Sequence, residues 1–155
     1  MPALPLPIHC YDEAGIIKPP RWLYWFLILN SADWVIFIFA VASRRHTSQL
    51  LEMFYPEKAL LWSKLIATVP FIIVALLLGN RERLWKKTSL RWWYYMPASM
   101  WTGIIALLLV VGGQLEALNW QFQPLLAGQI ISLSLLGVLI TRSRHLRLML
   151  ADWQK

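Results

Sequence analysis

The chain has 155 residues, of which 58% are hydrophobic, and its mean hydropathy is +0.51; these values indicate a membrane protein with room for one domain. The formal charge of +7 would favour nucleic-acid binding in a soluble protein, but here the basic residues flank apolar stretches. Anionic lipid headgroups are therefore the expected partners rather than nucleic acid, and the single cysteine, Cys10, excludes an intramolecular disulfide.

Prolines at positions 2, 5, 7, 19 and 20 prevent a regular helix in residues 1–21, which are predicted to form an arm. Four apolar stretches follow, at about residues 22–42, 59–79, 96–113 and 125–141, and each is long enough to cross a bilayer. Residues 47–58 predict a short interfacial helix, and residues 142–155 predict a basic amphipathic tail on the membrane surface. The sequence thus predicts an all-α membrane protein, a single domain built as a bundle of four transmembrane helices.

The most basic stretch, residues 80–91, lies between the second and third predicted spans. Loops rich in Lys and Arg remain cytoplasmic and orient the neighbouring spans. Three basic residues fall on the opposite side, and Lys64 lies within a span. The other eleven share the side of the basic stretch: Lys18, Arg21, Arg81, Arg83, Lys86, Lys87, Arg91, Arg142, Arg144, Arg147 and Lys155. This bias predicts that both termini are cytoplasmic.

A polar cluster interrupts the predicted spans. Asn30, Ser31 and Asp33 lie near the middle of the first, and Lys64 lies near the start of the second, from where its long side chain can bridge much of the difference in depth to Asp33. Because a carboxylate within the bilayer is costly, Asp33 is a candidate for a proton- or cation-coupled site. The alternatives are structural: an ion pair between Asp33 and Lys64, or a protonated Asp33 that is hydrogen-bonded to Asn30 and Ser31.

The sequence predicts no catalytic residue, metal ligand or cofactor. All three histidines, His9, His46 and His145, fall outside the predicted spans, and no nucleophile elbow or phosphate-binding loop is present. A transporter of the small multidrug type also has four spans with an acidic residue in the first, but the strong charge bias disfavours it. A lipid-handling enzyme is a further alternative, because the basic and acidic residues between the first two spans could bind a phosphate. No recognisable nucleophile accompanies them.

Five short strings occur in a characteristic order: Tyr11-Asp12, Gly15-Ile16-Ile17-Lys18-Pro19-Pro20, Ala42-Ser43-Arg44, Leu50-Leu51 and Phe54-Tyr55-Pro56. With them the chain resembles the YfeZ-like family of small gammaproteobacterial inner-membrane proteins, a domain of unknown function. The motifs cover residues 11–79, and beyond them the resemblance is one of topology. It implies a multi-pass protein of the bacterial inner membrane with four spans.

The resemblance also indicates which residues flank the first span at both membrane faces, as anchors would. This membrane-face motif consists of Lys18, Pro19, Pro20, Ser43, Arg44, Phe54, Tyr55 and Pro56. In the family a basic residue often precedes the tryptophan that matches Trp34, so the resemblance implies that Asp33 is not a family-wide catalytic group. The family supplies no activity to carry over.

These observations favour a non-enzymatic interaction or assembly subunit, with other membrane proteins or a second copy as partners. A small proton- or cation-coupled transporter or channel that uses Asp33 is the alternative. Small residues in the fourth span, Gly128, Ser132, Ser134 and Gly137, predict a close-packing face, either within the bundle or in a dimer.

Overall fold

In the computed structural model, which describes residues 6–13, 15–43, 46–55, 57–87 and 92–153, the chain is built from helices. A single 3-10 turn, Ile8–Cys10, precedes them. Within the described ranges the α-helices are α1 (Arg21–Asn30), α2 (Ala32–Ala42), α3 (Thr47–Phe54), α4 (Lys58–Gly79), α5 (Arg81–Lys87), α6 (Trp92–Ala117), α7 (Pro124–Arg142) and α8 (Arg144–Asp152). The prediction of an all-α protein is therefore confirmed for the part of the chain that the structure describes.

Three helices in the described ranges are long and apolar enough to cross a membrane: Lys58–Gly79, Tyr94–Ala117 and Pro124–Arg142. The second and fourth predicted spans match α4 and α7 to within about a residue at each end, whereas the third is extended at both ends. The first predicted span consists of two helices, α1 and α2, which meet at Ser31 with a bend of 54°. The protein thus has three candidate spans, or four if the bent pair is one of them.

The helices pack as neighbours around a shared core. α4 packs extensively against α6, α7 packs against α6 and α1, and α1 also contacts α4, while α2 lies against α3 and α4. α4 and α6 are close together at Gly103, where an added Cβ would lie 3.0 Å from the fully buried Phe71 ring. Ser99 on α6 also donates a hydrogen bond to the Pro70 carbonyl on α4, at 3.1 Å. Large apolar side chains on the outer faces of these helices remain exposed, as lipid contact requires.

The arm folds back on itself before α1 begins. The Asp12 amide donates to the Ile16 carbonyl (2.8 Å), and Gly15 closes the turn with a positive φ of 75°, a conformation that favours glycine. Tyr11 and Ile17 then form an isolated antiparallel bridge. Ile17 is buried in the core, so the arm is part of the folded structure rather than an extended tether.

The C-terminal helix differs from its prediction. The sequence predicts that the apolar face of the tail lies on lipid, but Leu146 and Met149 of α8 are buried in the protein core. The Ser143 side chain caps α8 by accepting a hydrogen bond from the Leu146 amide (3.2 Å). The arm covers this helix, since the Ile17 amide donates to Asp152 Oδ2 and the Trp153 indole donates to the Ile17 carbonyl, both at 3.1 Å.

The stretch at residues 80–91 also differs, because Arg81–Lys87 is helical where the sequence suggests a loop. The rest of this basic stretch, residues 88–91, lies outside the described residues. Arg81 ties α5 to the arm through Asp12, with Nη2 2.6 Å from Oδ2. The arm, α5 and α8 therefore meet at one end of the helices.

Candidate functional site

The polar residues of the first predicted span surround the break between α1 and α2. Ser31 has φ −102° and ψ 11°, and its amide lies within hydrogen-bond distance of the Leu27 and Ile28 carbonyls at the end of α1. Because the helix axis turns by 54° there, the side chains before and after the break face different neighbours. The structure consequently divides Asn30, Ser31, Asp33 and Lys64 rather than gathering them into one cluster.

Asn30 connects α1 to α7. Its Nδ2 donates to Ser132 Oγ at 3.1 Å and to the Phe26 carbonyl at 2.8 Å. Both side chains of this interhelical bond are buried, with Asn30 only 2% exposed. Ser132 belongs to the predicted small-residue face of the fourth span, so at this position that face packs within the chain itself. Ser31 Oγ is buried and has no hydrogen-bond partner among the described residues.

Asp33 faces the opposite direction, toward the segment that follows α3. The Tyr55 hydroxyl donates a hydrogen bond to Asp33 Oδ1, and the two residues are 5% and 9% exposed respectively. Burial raises the pKa of the Tyr55 phenol, and the hydrogen bond and negative charge of Asp33 raise it further. The phenol is therefore held in its protonated, donating form.

Lys64 reaches the same place from α4. Its Nζ lies 5.8 Å from the centroid of the Tyr55 ring, within the range of a cation–π contact. Tyr55 thus stands between the two charged residues that the sequence paired, contacting Asp33 through its hydroxyl and Lys64 through its ring. In the described part of the chain, the ion pairs that Asp12 forms with Lys18 and Arg81 lie instead at the arm end.

A second contact holds α2 against α4 next to Asp33, Tyr55 and Lys64. Trp34 Nε1 donates to the Leu65 carbonyl at 3.2 Å, and the Trp34 ring packs edge-on against Phe37. Phe37 in turn packs against Trp62 of α4 with ring centroids 6.3 Å apart. The tyrosine, the tryptophan and the carboxylate therefore fix the register of α2 relative to the start of α4.

The membrane-face motif is divided between the two ends of the helices. Lys18, Pro19 and Pro20 lie where the arm meets α8, and the ring Nε2 of His145 donates to the Lys18 carbonyl at 2.8 Å. At the other end, Ser43 ends α2 and its carbonyl accepts from Thr47 Oγ1 at 3.2 Å, Phe54 is exposed and Tyr55 is buried. The remaining two, Arg44 and Pro56, lie outside the described residues.

Sequence reasoning identified Asp33 but not its partner. Tyr55 is 22 positions away and follows a separate helix, so no helical spacing relates the two residues. The available signal was the phenol itself, because a tyrosine at the end of an apolar helix requires a hydrogen-bond partner when it is buried. The contact of Asn30 with Ser132 spans 102 positions and had no local signal.

Comparison with known proteins places the chain in a family. The family described as "Protein of unknown function (DUF2919)" matches residues 6–152. The chain is similar to the inner membrane protein YfeZ of Escherichia coli (strain K12), with 36% identity over 83 residues, which are 52% of this chain and 55% of that protein. The aligned segment thus spans about half the length of that relative. No solved structure matches the chain.

The resemblance to a YfeZ-like family is thereby confirmed, and the candidate spans agree with the description of the relative as an inner membrane protein. The family match begins at the arm and ends within α8, so it includes both ends of the structure described above. The chain belongs to the DUF2919 family of proteins of unknown function.

Proposed function

We propose that the protein is a non-enzymatic inner-membrane protein with four spans and cytoplasmic termini, which acts by binding other membrane proteins or stabilising an assembly. The observation that carries this proposal is that polar side chains around the broken helix form hydrogen bonds with other parts of the same chain. Asp33 accepts a hydrogen bond from Tyr55. Asn30 donates one to Ser132, and Trp34 donates one to the Leu65 carbonyl. Such contacts hold helices together, and their donors and acceptors are directed within the chain.

The arrangement of the ends supports the proposed topology. The arm contacts α5 through the Asp12–Arg81 pair and α8 through the hydrogen bonds of Ile17. At the other end, Trp34 bonds α2 to the beginning of α4, at Leu65. The proposed four crossings would bring both termini to one side, and the excess of Lys and Arg there favours the cytoplasm as that side.

Reporter fusions test this topology. A fluorescent protein that matures only in the cytoplasm, fused after Lys155, should be bright, and an alkaline phosphatase fused at the same position should be inactive. The reverse result would refute the assigned orientation. A phosphatase inserted next to Gln121, in the turn between α6 and α7, should be active and serves as the matched opposite-side control.

The interaction surface is expected at the basic end. Arg142 at the end of α7 and Arg144 and Arg147 of α8 are exposed, while Leu146 and Met149 of α8 are buried. Burial of Leu146 and Met149 fixes α8 on the protein, so its two arginine side chains extend from a fixed backbone next to Arg142. Such a surface suits anionic lipid headgroups and an acidic segment of a membrane partner or a second copy.

The assembly is tested by extraction directly into lipid nanodiscs, followed by mass measurement and cross-linking. We expect a homo-oligomer or a complex of defined stoichiometry that the double variant Arg144→Glu, Arg147→Glu disrupts. Lys58→Glu, at the opposite end of α4, should leave it intact. A wild-type chain that is always a solitary monomer would refute the proposal.

A second candidate is a proton- or cation-coupled transporter or channel that uses Asp33. It is favoured by one observation, because the helix breaks at Ser31, two residues from the carboxylate, and broken helices line the binding sites of many transporters. In proteoliposomes, Asp33→Asn should then abolish proton-coupled flux. Equal flux through the variant, or no flux through either protein, would remove this candidate.

A further inference from the structure

An open cavity lies at the arm end of α4, away from the broken helix. Its volume is about 350 Å³, and its lining includes Tyr24 of α1, Asn80, and the first three residues of α5, Arg81, Glu82 and Arg83. The apolar end of α4 forms its inner side. The lining therefore combines two guanidinium groups, one carboxylate, a phenol and an amide where a candidate span ends.

The charged residues of the lining differ in whether they form an ion pair. Arg81 is paired with Asp12 of the arm, with Nη2 2.6 Å from Oδ2, and its side chain is 15% exposed. This pair fixes the guanidinium and offsets much of its charge, while other N–H donors of the fork remain available. Arg83 and Glu82 are exposed and form no ion pair with the described residues. The unpaired charges at the cavity are thus one positive and one negative.

This balance decides which ligand the cavity suits. A purely anionic group would gain from Arg83 but would face the carboxylate of Glu82. A group that carries a phosphate and an ammonium a few atoms apart can satisfy both side chains. At about 30 Å³ for each water-sized group, the cavity has room for the roughly eight non-hydrogen atoms of a phosphoethanolamine group.

The position of the cavity indicates that the ligand is a lipid. It lies where α4 leaves its apolar span, Tyr24 of α1 lines it, and Trp25, the next residue of α1, is strongly exposed. Tyrosine and tryptophan favour the headgroup region of a bilayer. The acyl chains of a bound lipid would then run along the exposed apolar faces of the spans.

We infer that this cavity binds the headgroup of a zwitterionic phospholipid with a primary amine, its phosphate against Arg83 and the free donors of Arg81 and its ammonium against Glu82. The inference depends on neither the orientation of the protein nor its oligomeric state, so it goes beyond the proposed function. Both charged groups at the mouth are exposed, so replacing them leaves the core and the Asp12–Arg81 pair intact.

Native mass spectrometry of the full chain tests the inference. The delipidated protein in mild detergent is titrated with phosphatidylethanolamine, phosphatidylcholine and phosphatidylglycerol of identical acyl chains. Phosphatidylethanolamine should form the most adducts, because the trimethylated amine of phosphatidylcholine has no N–H to donate and phosphatidylglycerol has no cation. Glu82→Gln should reduce the preference for phosphatidylethanolamine by about two- to fivefold, the range of an exposed ion pair.

Matched variants separate the site from general charge effects. Arg83→Gln should weaken the binding of all three phosphate lipids by a similar factor, whereas Glu116→Gln and Lys58→Gln, exposed residues outside the cavity, should behave like the wild type. Equal binding of phosphatidylethanolamine and phosphatidylcholine, or stronger binding of phosphatidylglycerol, would overturn the inference. So would an equal effect of Glu82→Gln and Glu116→Gln. A monomeric protein would refute the proposed assembly without affecting this result.

Discussion

The hydrogen bond between Tyr55 and Asp33 gives the sharpest test of the structure. Tyr55→Phe removes only the hydroxyl and keeps the ring that packs against Leu61 and Leu65. The Asp33 carboxylate, 9% exposed, would lose this partner. A buried acceptor left unsatisfied costs about 1–3 kcal/mol in soluble proteins, and hydrogen bonds in membrane proteins measure about 0.6 kcal/mol on average with a maximum near 1.7. We therefore expect the free energy of unfolding to fall by about 1–2 kcal/mol.

Reversible unfolding in mixed detergent and SDS micelles, followed by tryptophan fluorescence, measures this change. Tyr94→Phe is the matched control, because Tyr94 is 72% exposed and its ring packs edge-on against Tyr95; the change should be within about 0.5 kcal/mol. A double-mutant cycle with Asp33→Ala should give a coupling energy near 1 kcal/mol. Additivity of the two changes, or equal losses for Tyr55→Phe and Tyr94→Phe, would refute the contact.

The pH dependence supplies a second measurement of the same contact. The pKa of Tyr55 is raised above its ordinary value of 10.0 in the folded protein by burial and by Asp33. An unfolded chain ionises this phenol first, so the stabilisation is complete below about pH 9 and declines as the pH rises further. The difference in unfolding free energy between wild type and Tyr55→Phe should therefore shrink between about pH 9 and pH 11. A constant difference over this range would contradict the assignment.

Two further predictions concern helix contacts and use the same unfolding assay. Gly103→Ala should destabilise the protein by about 1–3 kcal/mol, because a Cβ there would lie 3.0 Å from Cζ of the buried Phe71 ring. Gly112→Ala, on the same helix but with no atom within 4 Å of the added Cβ, should be neutral or stabilising, and equal effects would contradict the packing of α4 on α6. Ser132→Ala should cost about 0.6 kcal/mol because Asn30 Nδ2 loses its acceptor on α7; an unchanged stability would show that this bond does not hold α1 to α7.

The long helices were predictable because their signal is local. α4 and α7 each contain an apolar stretch long enough to cross a membrane and are bounded by polar residues, so hydropathy alone locates them. The first predicted span was less predictable. Its polar residues were evident, but the bend at Ser31 accompanies an Asn30 side chain directed to α7 and an Asp33 side chain directed to Tyr55, between α3 and α4. Those two directions are a property of the packed helices, which no local pattern encodes.

The C-terminal tail illustrates a different limit of sequence reasoning. The spacing of Leu146, Met149 and Leu150 indicates an apolar helix face, but lipid and protein can both cover such a face. The arm decides between them, because Ile17 bonds to the side chains of Asp152 and Trp153. The sequence contains both halves of this contact, more than 130 positions apart, and no periodicity links them. The amphipathic helix was therefore predictable, but the surface that it covers was not.

The Asp33–Tyr55–Lys64 contacts lie near the start of α4, and the charged cavity lies at its end. Their roles can therefore be tested separately. Within α4, Lys64 and Gly79, which lines the cavity, are fifteen positions apart, or about 22 Å at about 1.5 Å per residue of helix. Substitutions farther apart than about 10 Å with no shared partners have additive effects. Tyr55→Phe should consequently change stability without altering the choice among lipids, and Glu82→Gln should alter lipid choice at unchanged stability. An effect of either substitution on both properties would mean that the helix transmits a change between its two ends, and the protein would then be better described as a switch than as a scaffold.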